Sequence, residues 1–211
     1  TDQVRGMITA NTLEGFNGKG VYLTEVRPND VNRSSTYGTA SDVMECVEIY
    51  NGTDAAIDLN NDYRVAYTVK EGYRKVLKFY KYSSSASNKV GSSTGCTVPA
   101  GGTAVLWCFR YSNITDWTSF PSLSAFRTAY GISSDTPVYI FTNQGSLNNT
   151  NRAIEIFKND GVGDVGTLVS GYTYLGASDC PDNTSAQLKV NPEGPAMKLY
   201  AGAATSTMGT V

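Results

Sequence analysis

The stretch that decides the fold is DVMECVEIYNGTDAAIDLNNDYRVAY, residues 42–67. Within it, Val47 and Ile49 alternate with Glu48 and Tyr50. A period of two places one set of side chains in a core and the other set toward solvent. The stretch therefore predicts a half-buried strand, in which Glu48 is the solvent-facing neighbour of Val47 and Ile49.

A tight turn follows this strand. Asn51 and Gly52 tolerate the positive φ values that two-residue turns require. Apolar character resumes at Ile57 and Leu59 and continues into a second run over residues 63–69. The order along the chain is therefore strand, turn, strand.

The composition favours one all-β domain of an exported protein. The chain has 211 residues, 40% of them hydrophobic, which is enough for one sizeable core. Charged residues make up only 17% and the net charge is -2, which suits short strands joined by polar turns. A nucleic-acid binder needs clustered Lys and Arg, so nucleic acid is not an expected partner. A membrane span needs about 18 consecutive apolar residues, and the sequence has no such run.

The chain contains no histidine. Catalysis by a Ser-His-Asp or Cys-His arrangement is therefore excluded, and so are the common zinc sites that use imidazole. Carboxylate chemistry of the glycosidase kind and cation sites with oxygen ligands need no histidine and stay open.

A second strong signal is CTVPAGGTAVLWCF, residues 96–109, in which a Pro-Ala-Gly-Gly turn leads into an apolar strand. Together the two signals resemble the lamin tail domain. The segments that carry the resemblance are VYLTEVRPND (21–30), VEIYNGTDAAIDLNN (47–61), TVPAGGTAVLW (97–107) and NRAIEIFKNDG (151–161). The closing PAMKLYAGAATSTMGTV is also similar to the family's C-terminal segment, although Met208 stands where the family commonly has proline.

The resemblance implies an all-β fold, an immunoglobulin-like β-sandwich formed by residues 20–211. Residues 1–19 are then an N-terminal arm. A nuclear lamin would carry apolar heptads before this domain, and residues 1–19 have none. The resemblance is therefore to the bacterial members of the family.

One short helix is expected, from about Ser122 to Tyr130. Leu123, Phe126 and Tyr130 recur at helical spacing, Ser122 or Ser124 can cap the N-terminus, and Gly131 supplies a stop. The remaining apolar runs predict strands, among them one over residues 73–82, a hairpin around KNDGVGD, and a final pair formed by AQLKV and MKLYA.

Acidic residues offer two kinds of candidate site. Glu45 with Glu48, or Asp62 with Glu155, could form a glycosidase pair, but chance pairs of carboxylates occur in any chain of this length. Around KNDGVGD, three side chains could offer oxygen ligands to calcium, but the full spacing of a calcium loop is missing. These three are Asn159, Asp160 and Asp164. We predict no catalytic residue, no metal and no cofactor.

Aromatic and basic residues are interleaved in YRKVLKFYKY, residues 73–82. A sugar or a nucleic-acid strand could stack on such aromatics while the cations contact anionic groups. The alternative is an ordinary sheet face whose lysines protect an edge from pairing with other chains. As the candidate ligand-binding residues we take Tyr73, Arg74, Lys78, Tyr80 and Tyr82.

Four cysteines, Cys46, Cys96, Cys108 and Cys180, permit two disulfides in an exported chain. Small buried thiols would suit the same positions equally well. The sequence leaves both possibilities open.

The function that this sequence predicts is that of a non-catalytic accessory or interaction module in a larger secreted or cell-surface bacterial protein. Family resemblance implies this function and an extracellular or cell-envelope location, with an unknown protein or glycan as the ligand. One alternative is a carbohydrate-binding module that uses surface tyrosines. The other is part of a secreted hydrolase, with catalysis elsewhere or by carboxylates.

Overall fold

The computed structural model describes residues 19–35, 37, 43–70, 73–110, 114, 116–143, 147–148, 150–174, 178–190, 197–199 and 206–209. Almost all of the predicted N-terminal arm lies outside these residues. In chain order the elements are β1 (Val21–Arg27), α1 (Val31–Ser35), β2 (Glu45–Asn51), β3 (Ile57–Asp58), β4 (Tyr63–Lys70), β5 (Tyr73–Val76), β6 (Tyr80–Lys81), β7 (Thr97–Val98), β8 (Gly102–Arg110), α2 (Leu123–Tyr130), β9 (Val138–Asn143), β10 (Arg152–Lys158), β11 (Thr167–Tyr174), β12 (Ala186–Val190) and β13 (Met197–Leu199).

Two main sheets form the fold. The larger sheet has seven strands in the order β13-β12-β1-β2-β8-β9-β6, and the smaller has four in the order β11-β10-β4-β5. Neighbouring strands are antiparallel, except that β8 and β9 run parallel. A first hydrophobic core lies between the sheets, where Val47 and Leu106 of the larger sheet join Ile154 of the smaller. The predicted all-β sandwich with a short helix is confirmed.

A second hydrophobic core lies on the other face of the larger sheet, beneath α2. Trp107 is its centre and is fully buried, and Met208 from the C-terminal segment also joins it. α2 begins after Ser122, whose hydroxyl accepts the backbone N–H of Ala125 at 3.1 Å, and ends at Gly131 in the left-handed conformation. Of the two possible N-cap residues the structure has Ser122, and the predicted stop at Gly131 is confirmed.

Because of this second core, β2 is buried on both faces. Val47 and Ile49 pack into the first core, whereas Cys46 packs into the second. Glu48 lies on the same face as Cys46 and is only 1% exposed. The expectation that Glu48 faces solvent is therefore wrong, since a period of two separates the faces of a strand but does not show what covers each face.

β2 and β4 are close in sequence but belong to different sheets, because the chain leaves the larger sheet at Asn51. The side-chain amide of Asn51 donates to the carbonyls of Ala55, Val98 and Pro99 at 2.8, 3.0 and 3.1 Å. Its oxygen accepts the backbone N–H of Thr53 at 3.0 Å. One fully buried amide thus holds the turn against the Pro-Ala-Gly-Gly segment.

Residues 73–82 do not form the single strand predicted for them. β5 belongs to the smaller sheet and β6 to the larger, and Leu77 and Phe79 between them enter the first core. The Phe79 ring meets Phe141 edge-on at 5.7 Å, and Asn60 accepts the Phe79 backbone N–H at 2.9 Å. The chain therefore crosses from the smaller sheet to the larger sheet at residues 77–79, where burial of Leu77 and Phe79 stabilises the crossing.

The C-terminal half follows the predicted order. β10 and β11 form the expected hairpin, and β12 pairs with β13. Gly166 closes the hairpin at φ +104, where a Cβ would lie 1.9 Å from the carbonyl oxygen of Lys158, so that a side chain would not fit. In the described part of the chain, neither helix has the length and apolar character needed to cross a membrane.

Candidate functional site

The five predicted ligand residues do not form one flat surface. Tyr73 is 51% exposed and Lys78 is exposed, whereas Tyr80 and Tyr82 are half-buried against the second core. Tyr73 and Arg74 belong to the smaller sheet, and Tyr80 begins the short β6 at the end of the larger sheet. Tyr73, Arg74 and Lys78 thus lie on or just beyond β5, whereas Tyr80 and Tyr82 lie against the second core.

Arg74 is held against its own sheet. Its Nε donates to Oε1 of Glu155 at 2.8 Å, and the Thr68 hydroxyl donates to the same oxygen at 3.0 Å. The Arg74 guanidinium carbon also lies 5.5 Å from the ring centroid of Phe157. Glu155 is fully buried, so this charge-assisted contact stabilises the outer face of the smaller sheet.

Tyr82 has a packing role. Its ring stacks on Trp107 with 6.0 Å between centroids and an angle of 11° between the planes. Burial raises the pKa of Tyr82, although the backbone N–H of Leu123, donating to the phenol oxygen, lowers it in part. Tyr80 packs against the same core. Both rings present little free face to a ligand.

Glu45 and Glu48 point to opposite faces of β2. On the first-core side, Glu45 accepts the Leu147 backbone N–H at 2.6 Å. On the second-core side, Glu48 accepts the Thr24 hydroxyl at 2.6 Å and the backbone N–H of Gly209. A glycosidase pair must flank one substrate bond from both sides. These two carboxylates are separated by the strand that carries them.

Asp62 and Glu155 are not a facing pair either. Asp62 is exposed in the turn before β4, where its Oδ2 accepts the Asp58 backbone N–H at 2.7 Å. Glu155 is buried beneath Arg74. Asp62 thus stabilises a turn, and Glu155 forms an ion pair with Arg74.

Residues 206–209 form hydrogen bonds with two strands of the larger sheet, which the sequence did not predict. The Thr207 backbone N–H and hydroxyl donate to Oε2 of Glu25 at 3.0 and 2.9 Å, and the Gly209 N–H donates to Glu48. Met208 between them is 1% exposed. Two buried carboxylates therefore anchor residues 206–209 to the larger sheet.

A buried ion pair was also missed. Arg27 donates from Nε to Asp30 at 2.6 Å, from Nη1 to the Ser185 hydroxyl at 3.2 Å, and from Nη2 to the Asn183 carbonyl at 2.6 Å. The Tyr130 hydroxyl donates to the same Asp30 oxygen at 2.9 Å. In the sequence Arg27 and Asp30 look like charges at the exposed end of a strand, and no local signal indicates that α2 covers them.

The possible calcium loop is a closed hairpin turn. Asp160 accepts the backbone N–H groups of Val162 and Thr167 at 3.1 and 3.2 Å, and the Asp164 carbonyl accepts from Arg64 at 2.8 Å. Asn159 donates from its side chain to the Asn61 carbonyl at 2.7 Å. Across the residues that the structure describes, no group of three or more Cys, Asp or Glu side chains could hold a metal ion.

All four cysteines are buried, and each carries a thiol that is not part of a disulfide. Burial raises the pKa of Cys96 and of Cys180 to about 11, and burial also raises the pKa of Cys46. Cys180 points its sulfur toward the Val26 carbonyl at 3.6 Å. The sequence left both disulfides and buried thiols open, and the structure has buried thiols.

The native protein is therefore expected to resist thiol reagents. A pulse of iodoacetamide at pH 8 should leave all four thiols unmodified in the native chain and alkylate all four in guanidinium chloride, because the thiolate is the reactive form. Intact mass measures both states. A mass two hydrogens lighter before alkylation would reveal a disulfide, and rapid native labelling would contradict the observed burial.

No family model matches the chain, and no curated protein matches it either. The fold defines its class as an all-β sandwich with a second hydrophobic core covered by a helix. The similarity to the lamin tail domain stays a prediction drawn from the residues quoted above.

Proposed function

We propose that this chain is a non-catalytic interaction module of a larger secreted or cell-surface bacterial protein. The observation that carries the proposal is the contrast between its buried and its exposed charges. Glu25, Glu45, Glu48 and Glu155 are each at most 1% exposed and each accepts hydrogen bonds that hold the fold together. Buried carboxylates that accept hydrogen bonds from the fold have a structural role, whereas binding of a partner uses side chains that are exposed to solvent.

Two of the four large hydrophobic side chains that are exposed in the described residues lie on β5. Tyr73 and Val76 are 51% and 45% exposed, and Lys78 just beyond them is also exposed. Exposed aromatic and apolar side chains beside cations are typical of interaction surfaces. This surface supports binding of a partner protein in an extracellular or cell-envelope setting, for which the family resemblance is the argument.

Carbohydrate binding is the second candidate, and the exposed ring of Tyr73 favours it. Sugar-binding surfaces stack several rings against one ligand, but Tyr80 and Tyr82 pack inward. A lone ring would give a weak glycan site. The protein-binding function therefore has the better support.

One experiment separates these functions. The purified chain is applied to glycan and oligonucleotide arrays and incubated with polysaccharide and phosphoester substrates. We expect no turnover and no binding to either array above that of a Tyr73→Ala variant. Glycan binding lost in Tyr73→Ala would favour the carbohydrate module. Turnover lost in Glu45→Gln or Glu155→Gln, but kept in Tyr73→Ala, would overturn the non-catalytic function.

A further inference from the structure

Asn51 and Gly52 form a dipeptide that is prone to react with itself. In a flexible chain, the backbone nitrogen that follows an asparagine can attack the side-chain amide carbon and close a succinimide ring. Glycine allows this attack most readily, because it has no Cβ to hinder the approach of its own nitrogen. The sequence has one other such pair, Asn17 and Gly18, which lies outside the described residues.

In the folded protein the attacking nitrogen is held by the sheet. The Gly52 backbone N–H donates to the Gly20 carbonyl at 2.8 Å. Asn51 ends β2, where it pairs with Val21 of β1 on one side and with Gly102 of β8 on the other. In an extended residue the side chain stands out from the strand, whereas the next nitrogen continues along it. Ring closure therefore requires a rotation that breaks the bond to Gly20 and disturbs the end of both pairings.

The side-chain amide that would be lost is also fixed. Its nitrogen donates to three carbonyls, and its Oδ1 accepts the backbone N–H and the hydroxyl of Thr53 at 3.0 and 2.6 Å. Asn51 is 0% exposed, so its amide carbon is shielded from water. The two Thr53 donors would stabilise negative charge on Oδ1 during an attack. The protection therefore comes from burial and from the position of the Gly52 nitrogen.

We infer that Asn51–Gly52 is a self-modification site, which is unreactive in the folded protein and reacts when the corner formed by residues 51–55 opens. Once a base has removed the N–H proton, the Gly52 nitrogen uses its electron pair to bond to Cγ of Asn51. The Cγ–Nδ2 bond then breaks, and the leaving nitrogen takes a proton from water and departs as ammonia. Water adds to either carbonyl of the ring and opens it, which leaves aspartate or isoaspartate at position 51. These steps need water and base, with no oxidant and no reductant.

Neither product fits the folded corner. Aspartate would place a carboxylate against the carbonyls of Ala55, Val98 and Pro99, to which the Asn51 amide now donates. Isoaspartate adds a carbon atom to the main chain at the end of β2, which shifts the chain relative to its partners on β1 and β8. The reaction therefore makes an opening of this corner irreversible. This property goes beyond the proposed interaction function and does not depend on it.

Peptide mapping by mass spectrometry measures the reaction. The chain is incubated at mildly alkaline pH, either native or in guanidinium chloride, and conversion of Asn51 is followed with time. We expect Asn51 to react at least about a hundredfold more slowly in the native protein, because only the small opened fraction can cyclise. In guanidinium chloride Asn51 and Asn17 should react at similar rates. Equal rates at Asn51 in the two solutions would overturn the inference, and so would an unreactive Asn51 beside a reacting Asn17 in the denatured chain.

Gly52→Ala is the matched control for the chemistry. The added methyl group hinders the attacking nitrogen, so conversion of Asn51 in guanidinium chloride should fall at least about fivefold. The pair Asn17 and Gly18 is unchanged in this variant and should react as in the wild type. Undiminished conversion of Asn51 in Gly52→Ala would show that the reaction does not use the Gly52 nitrogen, and would refute the proposed route.

Refolding tests the consequence of the reaction. Chains aged in guanidinium chloride are diluted into buffer, and size-exclusion chromatography separates the folded fraction from the chains that fail to fold. Modification at position 51 should be at least about tenfold enriched among the chains that fail to fold. Ageing should also lower the refolding yield of wild type more than that of Gly52→Ala. If freshly prepared Gly52→Ala does not fold, the enrichment within wild-type chains decides the result. An equal share of modified chains in the two fractions would contradict the irreversible opening.

Discussion

Replacing Trp107 with alanine is expected to lower the free energy of unfolding by about 3–5 kcal/mol. The Trp107 ring stacks on Phe126, Phe120 and Tyr82, with centroid distances of 4.2, 5.2 and 6.0 Å. Its indole N–H donates to the Val43 carbonyl at 2.8 Å. The variant would leave a cavity among three rings and an unpaired carbonyl, and a native domain has only about 5–15 kcal/mol of net stability.

Urea unfolding followed by circular dichroism measures this loss. Trp117→Ala is the matched control, since the same change is made at the rim of the second core, where Trp117 is half-buried and meets Phe120 at 5.2 Å. We expect the control to lose less than half as much stability. Equal losses in Trp107→Ala and Trp117→Ala would mean that the second core does not depend on its central ring.

Asn51→Asp is expected to cost about 3 kcal/mol at neutral pH. The Asn51 amide nitrogen donates to the carbonyls of Ala55, Val98 and Pro99 from a fully buried position. A carboxylate oxygen in its place has no hydrogen to donate and meets three partial negative charges. The change replaces three hydrogen bonds with repulsion at the point where the chain leaves the larger sheet.

The loss of stability in Asn51→Asp should increase with pH. Burial and the three carbonyls raise the pKa of the introduced carboxyl above its usual ~3.9 in the folded state. The folded variant then binds a proton more tightly than the unfolded chain, so the loss of stability is smallest below about pH 4, where both states are protonated, and grows as pH rises through the folded-state pKa. Urea unfolding of Asn51→Asp and wild type at several pH values measures the difference.

Asn88→Asp is the control for this variant. Asn88 uses its side-chain oxygen to accept the Val90 backbone N–H at 3.1 Å, and a carboxylate can accept the same bond. We expect a change in the free energy of unfolding below about 0.5 kcal/mol. If Asn51→Asp proved as mild as Asn88→Asp, the amide of Asn51 would not be what holds the corner between the sheets.

Elements with short-range signals were predictable. The α2 helix was found because Ser122 and Gly131 cap it locally, and the β10–β11 hairpin because glycines surround its turn. Leu123, Phe126 and Tyr130 repeat at helical spacing within one small segment. Such signals depend on neighbours a few residues apart, and therefore survive in the sequence as patterns.

The candidate site was only partly predictable. Exposure of Tyr73 and Lys78 agrees with a surface role, but Tyr80 and Tyr82 are half-buried. Leu77 and Phe79, which lie between β5 and β6, are buried in the first core, and the chain joins the larger sheet after them. An alternating aromatic and basic pattern looks the same whether a strand stays in one sheet or crosses to another. The break between β5 and β6 depends on packing partners in distant parts of the chain.

By itself, the sequence determined the strand-rich class, the helix α2, the principal turns and the absence of imidazole chemistry. Only the tertiary structure decided which sheet each strand joined and which charges lay inside. Glu48 looked solvent-facing, yet it accepts a hydrogen bond from Gly209, 161 residues away. Local periodicity sets the two faces of a strand, but burial of each face depends on layers assembled from distant segments, and that information appears only when the chain folds.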